Sequence, residues 1–329
     1  MQLNRRKLIG GLIGASTLAA NGLARAQASS YPTRQIDLVI PFPPGGATDV
    51  NGRVIGTAMG ALLGKPLVTE NLSGASGVIG TTRVARAKAD GYTLVTGNIS
   101  THAIAVGFVP NLPYSPLRDF EPIAHTGKLV NLLVVHPSVP AQSVNELIAY
   151  AKANPSALSY GSAGAGGTPH LSAELFKLRT GTSMQHIPYR GGGPMLTDLL
   201  GGHVQLAFGN VPELMPHVQA GRLRALGVTS ARRWPGMESV PTIQEQGVPD
   251  YEVLSWIGLF APAGIPASVK DRLVTEALAA QRQPQVISAL ARDNFVLDPM
   301  GGDVFRKYVA SQITFWTDFL RQTGIKEDA

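Results

Sequence analysis

The chain has 329 residues, 44% hydrophobic and 15% charged, with 37 glycines, 24 prolines and no cysteine. That length suits two domains, and the apolar content excludes a disordered chain. The lack of cysteine excludes disulfides, thiolate metal sites, a cysteine nucleophile and a lipid-modified N-terminal cysteine. The formal charge of +6 does not point to nucleic acid. Four of the 28 basic residues, Arg5, Arg6, Lys7 and Arg25, fall in the first 26 positions, and no acid accompanies them there. The rest of the chain is close to neutral. Its basic pairs, such as Arg232-Arg233, read as solvated loops and not as the clustered face of a nucleic-acid binder.

The first 26 residues read as a signal peptide. NRRKLIGGLIGASTLAANGLARAQA has a basic start, a short apolar middle and a small-residue ending. Gly, Ser and Asn interrupt the apolar part, which makes it a poor membrane span. Cleavage is expected near Ala26 or Ala28. Arg5-Arg6 followed by Leu8-Ile9 resembles a twin-arginine signal, with an ordinary secretory leader as the alternative. Either way the mature protein is exported.

After the leader, short β-rich runs alternate with helical patterns. Strands are predicted at residues 36–42, 66–70, 92–97, 130–136, 157–161, 184–188, 204–208, 223–229, 253–260 and 295–298. Several are unbroken runs of Val, Ile and Leu, as strands buried on both faces require. Between them, SVNELIAYAKANP starts a helix with Ser143 as cap and Glu146 completing a capping box; Asn154-Pro155 stops it. GTPHLSAELFKLRTG places Thr168 at a cap, Pro169 at the first helical position and Gly181 at the end. Asp303 caps a long C-terminal helix whose Phe305, Tyr308, Val309, Ile313, Trp316 and Leu320 form a core-facing stripe. Alternating β and α elements imply an α/β fold with helices on both faces of parallel sheets, and ten strands suit two sheets of about five.

In such folds ligands bind beyond the carboxyl ends of strands. Four strand-to-helix loops qualify: 43–49 (PPGGATD), 97–102 (GNISTH), 161–170 (GSAGAGGTPH) and 189–198 (YRGGGPMLTD). The first and fourth also resemble each other. Ile40-Pro41-Phe42 precedes Gly45-Gly46, and Ile187-Pro188-Tyr189 precedes Gly192-Gly193 at the same spacing. A helix start offers unpaired N–H groups and the positive end of the dipole, and glycines open it to a ligand. The result is an anion site built without lysine. Four charge-assisted hydrogen bonds would gross ~6–12 kcal/mol, against ~8 kcal/mol for micromolar affinity.

Enzyme motifs fail one by one. The run from Gly164 to Pro169 starts like G-x-G-x-x-G but ends in proline, and the run from Gly60 to Pro66 lacks the ending of a P-loop. Gly161-Ser162-Ala163-Gly164 is not a hydrolase elbow. The seven histidines are scattered, and His170 with Glu174 lacks a third metal ligand. Asp49 and Asp198 sit in first helical turns, where a carboxylate stabilises the dipole. No catalytic residue, cofactor or metal is expected.

Seven stretches carry a family resemblance: YPTRQIDLVIPFPPGGATD, DGYTLVTGNISTHA, DFEPIAHTGKLVNLLVVHPSVPAQSVNELIAYAKANP, LSYGSAGAGGTPHLSAELFK, HIPYRGGGPMLTDLLGGHVQLAFGN, GRLRALGVTSARRWPGMESVPTIQEQGV and SWIGLFAPAGIP. In order, and over essentially the whole mature chain, they resemble the Bug-type substrate-binding proteins of tripartite tricarboxylate transporters. The resemblance implies a two-lobed type II periplasmic binding fold, each lobe a five-stranded, mostly parallel sheet flanked by helices. Lobe 1 would be residues 31–128 plus 252–329 and lobe 2 residues 129–251, with two strands crossing between them. It further implies a periplasmic monomer that holds a small carboxylate between the lobes and delivers it to the membrane permease. A sensor signalling to a membrane kinase is the alternative, and a hydrolase or isomerase using Asp49, His170 or Asp198 the remoter one. The loop at 43–48 would grip a carboxylate by its backbone. The site residues expected are Phe42, Gly45, Gly46, Ala47 and Thr48, with Asn98 and Ser100, from lobe 1. Lobe 2 would supply Ser162, Ala163, Gly164, Gly166 and Thr168, with Gly191, Gly192 and Asn210. His170, Tyr189, Arg190 and Trp256 are candidates for which packing or an interlobe contact is an equal reading.

Overall fold

The run IDLVI forms the first strand, β1 (Ile36–Ile40), buried along nearly its whole length. The computed structural model describes residues 31–326, so the leader and its cleavage sites lie outside the described residues. From β1 the chain runs through α1 (Ala47–Leu63), β2 (Leu67–Asn71), α2 (Val78–Ala85), β3 (Thr93–Asn98) and the short α3 (Ala105–Phe108) into β4 (Phe120–Val135). Then come α4 (Val144–Ala153), β5 (Ser159–Ser162), α5 (Thr168–Thr180), β6 (Gln185–Pro188), α6 (Gly192–Leu200), β7 (Leu206–Asn210), α7 (Val211–Gln219) and β8 (Arg224–Val228). After a long connection the chain closes with β9 (Leu254–Pro262), α8 (Ala267–Ala280), α9 (Pro284–Arg292), β10 (Met300–Gly301) and α10 (Gly302–Thr323).

The ten strands of the described residues form one sheet, eight of them in the order β2-β1-β3-β9-β4-β7-β5-β6, with β8 and β10 off that path and paired to β4. β4 makes the two halves continuous. It pairs with β9 from Phe120 to Val130 and with β7 from Asn131 to Val135. In the first half β1, β2 and β3 are parallel and β9 runs against them. In the second half β5, β6 and β7 are parallel and β4 runs against β7 and β8. Where the halves meet, Thr229 ties three segments together. Its Oγ1 accepts from Asn131 N at 2.9 Å and donates to Val253 O at 2.7 Å. Its own N–H donates to Asn131 O at 3.0 Å, and Val253 N–H donates to Thr229 O at 2.8 Å.

The helix signals hold with small shifts. Ser143 Oγ accepts from Glu146 N–H at 3.2 Å, so the cap is real, while Glu146 reaches back to Gln142 N–H and not to Ser143. Gly167 and not Thr168 caps α5, and Gly301 and not Asp303 caps α10. At Gly301 a Cβ would strike Val274 at 2.8 Å, so close packing favours glycine there, whereas a Cβ at Gly167 would make only ordinary contacts. On α10, Phe305, Val309, Trp316 and Leu320 are buried in the core as the stripe demands.

Two strand expectations need correction. Residues 295–298 form no strand; Val296 alone bridges Lys128, and the pairing shifts on to β10 against His125 and Ala124. β4 is 16 residues long and starts at Phe120, ten residues before the predicted run. Pro122 and Gly127 disguise it as a loop. The ladder absorbs both with irregularities between Pro122 and Ala124 and between His125 and Gly127, which is where prolines and glycines are tolerated in strands.

Candidate functional site

A cleft of about 920 Å³ opens between the two halves of the sheet at the carboxyl ends of β1, β3, β5, β6 and β7. Four helices begin on its wall. Their N-cap residues are Gly46 for α1, Gly167 for α5, Gly191 for α6 and Asn210 for α7, and no side chain caps any of them. All four N-caps line the cleft. Each start leaves backbone N–H groups without an intrahelical partner and adds the positive end of a dipole. Four such ends converging on one space make a strong anion site. Among the described residues the cleft's charged side chains are Arg190 and Glu213.

The first loop is rigid for an identifiable reason. Asp49 Oδ2 accepts from Gly45 N–H at 2.9 Å, while its two oxygens take the Arg53 guanidinium at 2.9 and 3.0 Å and Asn71 Nδ2 at 2.8 Å. Arg53 also reaches Thr69 and Asn71, and Asn71 donates to Phe42 O. Burial pushes the Asp49 carboxyl up, but Arg53, the Gly45 N–H and Asn71 outweigh it and hold it below its ordinary range. Gly45 has φ +83°, which a side chain would strain, whereas Gly46 is extended at φ −77°. A Cβ at Gly46 would meet only Pro43 O at 3.8 Å and Glu213 Oε1 at 4.0 Å. Beside this loop, Asn98 Nδ2 donates to Thr48 Oγ1 at 3.0 Å.

Phe42, Gly45, Gly46, Ala47, Thr48, Asn98 and Ser100 line the cleft from the first half. Ala163, Gly164, Thr168, Tyr189, Arg190, Gly191, Gly192 and Asn210 line it from the second. Ser162, Gly166 and His170 do not. Ser162 is fully buried, its Oγ between Gly164 O at 3.0 Å and His186 Nε2 at 2.7 Å. Gly166 faces Phe108, which a Cβ there would strike, and its N–H donates to His170 Nδ1 at 3.2 Å. His170 is buried and stacks on His186 at 4.1 Å, with its pKa lowered by burial to about 4. These three shape the third loop from behind. Trp256 is fully buried against Phe305 and Tyr308, so packing accounts for it. The Tyr189 hydroxyl donates to Asp198 at 2.7 Å, which commits that carboxylate as well. Among the described residues no three His, Asp or Glu side chains converge as metal ligands would.

Besides Ser255 and Ile257 of β9, which also line the cleft, two contributors escaped the sequence reading. Ser73, Gly74, Ala75, Ser76 and Gly77, after β2, form a fifth loop on the cleft. Its backbone is left-handed at Ala75 (φ +46°) and Ser76 (φ +52°), a conformation that costs energy for non-glycine residues. Ser76 Oγ donates across the cleft to Ala165 O at 3.1 Å, joining the two halves. The small-residue run SGASG was the available signal. Glu213, in the first turn of α7, is the other. It resembles any dipole-stabilising acid in sequence, yet its carboxylate lies in the cleft.

The chain matches the model of the tripartite tricarboxylate transporter family receptor over residues 52–325. It is 36% identical to Protein BugT of Bordetella pertussis (strain Tohama I), across 98% of this chain and 99% of that one. Among solved structures it resembles Rpa4515 of R. palustris with adipate, at 37% identity and TM-score 0.84, covering 90% of this chain and 100% of that one. MatC (Rpa3494) of Rhodopseudomonas palustris, with bound malate, is 31% identical with TM-score 0.81, covering 88% and 99%. An α/β sheet curled around a cleft of helix starts, matched in sequence along nearly its whole length, places the chain in the tripartite tricarboxylate transporter receptor family.

Proposed function

We propose that this chain is an exported solute receptor that binds a small carboxylate in the cleft and hands it unchanged to the membrane permease of a tripartite tricarboxylate transporter. The single observation that carries this reading is the convergence of four uncapped helix starts on one cleft. Donors fixed in that way bind an anion without reorganising. The adipate and malate held by the two relatives support the ligand class. The receptor works in the periplasm as a monomer, reached through the N-terminal leader, and none of the described helices is long and apolar enough to cross a membrane.

Residues 31–128 with 252–329 act as one lobe and residues 129–251 as the other. β4 crosses between them and the chain returns just ahead of β9, and the Thr229 bonds to Asn131 and Val253 sit at the crossing, where small backbone rotations would swing one lobe against the other. Asp49 and Asp198 serve the wall, and His170 lies behind it, so the reading assigns them no proton transfer. A ligand gripped from both sides gains contacts only in a closed state and therefore favours it. A thermal-shift screen of organic acids identifies a ligand; at a hundred times its dissociation constant it adds ~2.7 kcal/mol of stability. Solution scattering with that ligand is then expected to show a smaller radius of gyration. An unchanged radius at saturation would rule out closure.

A further inference from the structure

Glu213 is an acid in a site made for acids. It is the one carboxylate among the described residues that line the cleft. It takes part in no ion pair there, and the side chain that meets it is Asn210, whose Nδ2 donates to Oε1 at a long 3.3 Å. Both of its oxygens lie against the start of α6, and Oε1 also approaches the start of α1. Oε1 lies 4.0 Å from where a Cβ of Gly46 would stand, at the start of α1. Oε2 occupies the space a Cβ of Gly192 would need, at the start of α6. Glu213 itself belongs to the first turn of α7. The carboxylate therefore reaches from the second half of the sheet towards the first and fills ground between three helix starts. Burial pushes its carboxyl up, and Asn210 offsets this only in part.

That placement has a consequence for what binds. A dicarboxylate spanning the cleft would put one carboxylate at a helix start away from Glu213, that of α5. Its other carboxylate would come against Glu213. Like charges in a partly desolvated space repel, and each ligand oxygen would meet an acceptor where it needs a donor. A ligand whose far end carries an ammonium or a hydroxyl meets a matching acceptor instead, and a cation there also holds Glu213 in its ionised form.

Resting on the carboxylate-receptor reading above, we propose that Glu213 is the residue that sets ligand class. It selects monocarboxylates bearing an ammonium or another hydrogen-bond donor at their far end and turns away dicarboxylates. On this proposal its preferred ligand differs from the adipate and malate held by the two relatives.

The test is calorimetric titration of the full protein and its Glu213→Gln variant at pH 8. The probes are matched pairs: succinate with 4-aminobutanoate, glutarate with 5-aminopentanoate, and adipate with 6-aminohexanoate. The wild-type protein is expected to bind the better amino acid at least about tenfold more tightly than the diacid of its length. In Glu213→Gln that preference should collapse to less than about threefold or reverse, with the diacid gaining and the amine losing. Glu213→Ala reads the same ratio should the glutamine variant not fold. A wild-type preference for the diacids, or a ratio unchanged by either substitution, would overturn the assignment of Glu213 while leaving the carboxylate receptor intact. Binding of the neutral diamides in place of both kinds of acid would overturn the carboxylate reading itself, and this inference with it.

Discussion

Unfolding of this protein near pH 5 is expected to take up about three protons, and its stability should fall steeply as the pH drops from 6.5 towards 4. Three buried histidines cause this. His102, fully buried with its ring stacked 3.8 Å from Phe260, has its pKa lowered by burial to about 3. His125 and His170 are lowered to about 4, again chiefly by burial, which the nearby carboxylates Asp298 and Glu174 offset in part. In the unfolded chain all three return to about 6.5. Between those values the unfolded state binds the extra protons, so stability is fully present above pH 6.5 and is lost as pH falls through 4 and then 3. Each histidine is worth on the order of 3 kcal/mol once protonation is complete. Together they rival the ~5–15 kcal/mol that typically separates folded from unfolded chains. The effect reaches the site, because His170 holds the Gly166 N–H of the third loop. Denaturant titrations at half-unit pH steps measure the slope. A midpoint unchanged between pH 7 and 4.5 would show that these rings titrate normally. His170→Gln should lower the uptake by about one proton.

Gly46→Val should weaken carboxylate binding about a hundredfold or more, close to 2.7 kcal/mol, with a stability cost of about 1 kcal/mol or less. The two effects separate because of local geometry. Gly46 is extended, so valine strains no backbone, and a Cβ there makes only ordinary contacts. Its branched methyls would nevertheless stand over the first N–H groups of α1 and crowd Glu213 across the cleft. Binding loses donors and room together. The helix keeps the Val50 N–H to Gly46 O bond at 3.0 Å, since that carbonyl is unchanged. Affinity within about threefold of the parent protein, measured by calorimetry, would mean that Gly46 is a turn residue and no part of the grip. The neighbouring Gly45→Val is not an equivalent probe, because φ +83° there would strain any side chain.

Much of this fold is legible in the sequence because its strands are plain. Runs such as IDLVI have no competing reading, and Ser143 with Glu146 marks a helix start by chemistry alone. Glycine-rich loops after such strands point to the cleft for the same reason. Legibility fails where tertiary context overrides a local rule. Pro122 and Gly127 argue against a strand, yet β4 runs through both, because bulges accommodate them against β9. Ser162 and His170 have the right chemistry for a ligand and sit in the right loop, but their side chains turn inward and pair with His186. Sequence position cannot say which way a loop side chain turns. Glu213 fails the other way. Periodicity makes it an ordinary first-turn acid, and only the folded chain brings it against Gly46 and Gly192.

The nature of the grip decides the rest. If backbone N–H groups and dipoles hold the ligand, they require an ionised carboxylate. A matched primary amide keeps one acceptor oxygen but sets its own N–H₂ donors against the protein's and loses the dipole attraction. Calorimetric titration with an acid found by the screen and with its matched primary amide is the direct measurement, repeated on Arg190→Gln to remove the one basic side chain among the described residues on the cleft wall. The acid should bind at least about tenfold more tightly than the amide, a difference of ~1.4 kcal/mol or more, and most of that preference should survive in Arg190→Gln. Equal affinities for acid and amide, or a preference that vanishes with Arg190, would contradict a carboxylate held by converging helix starts.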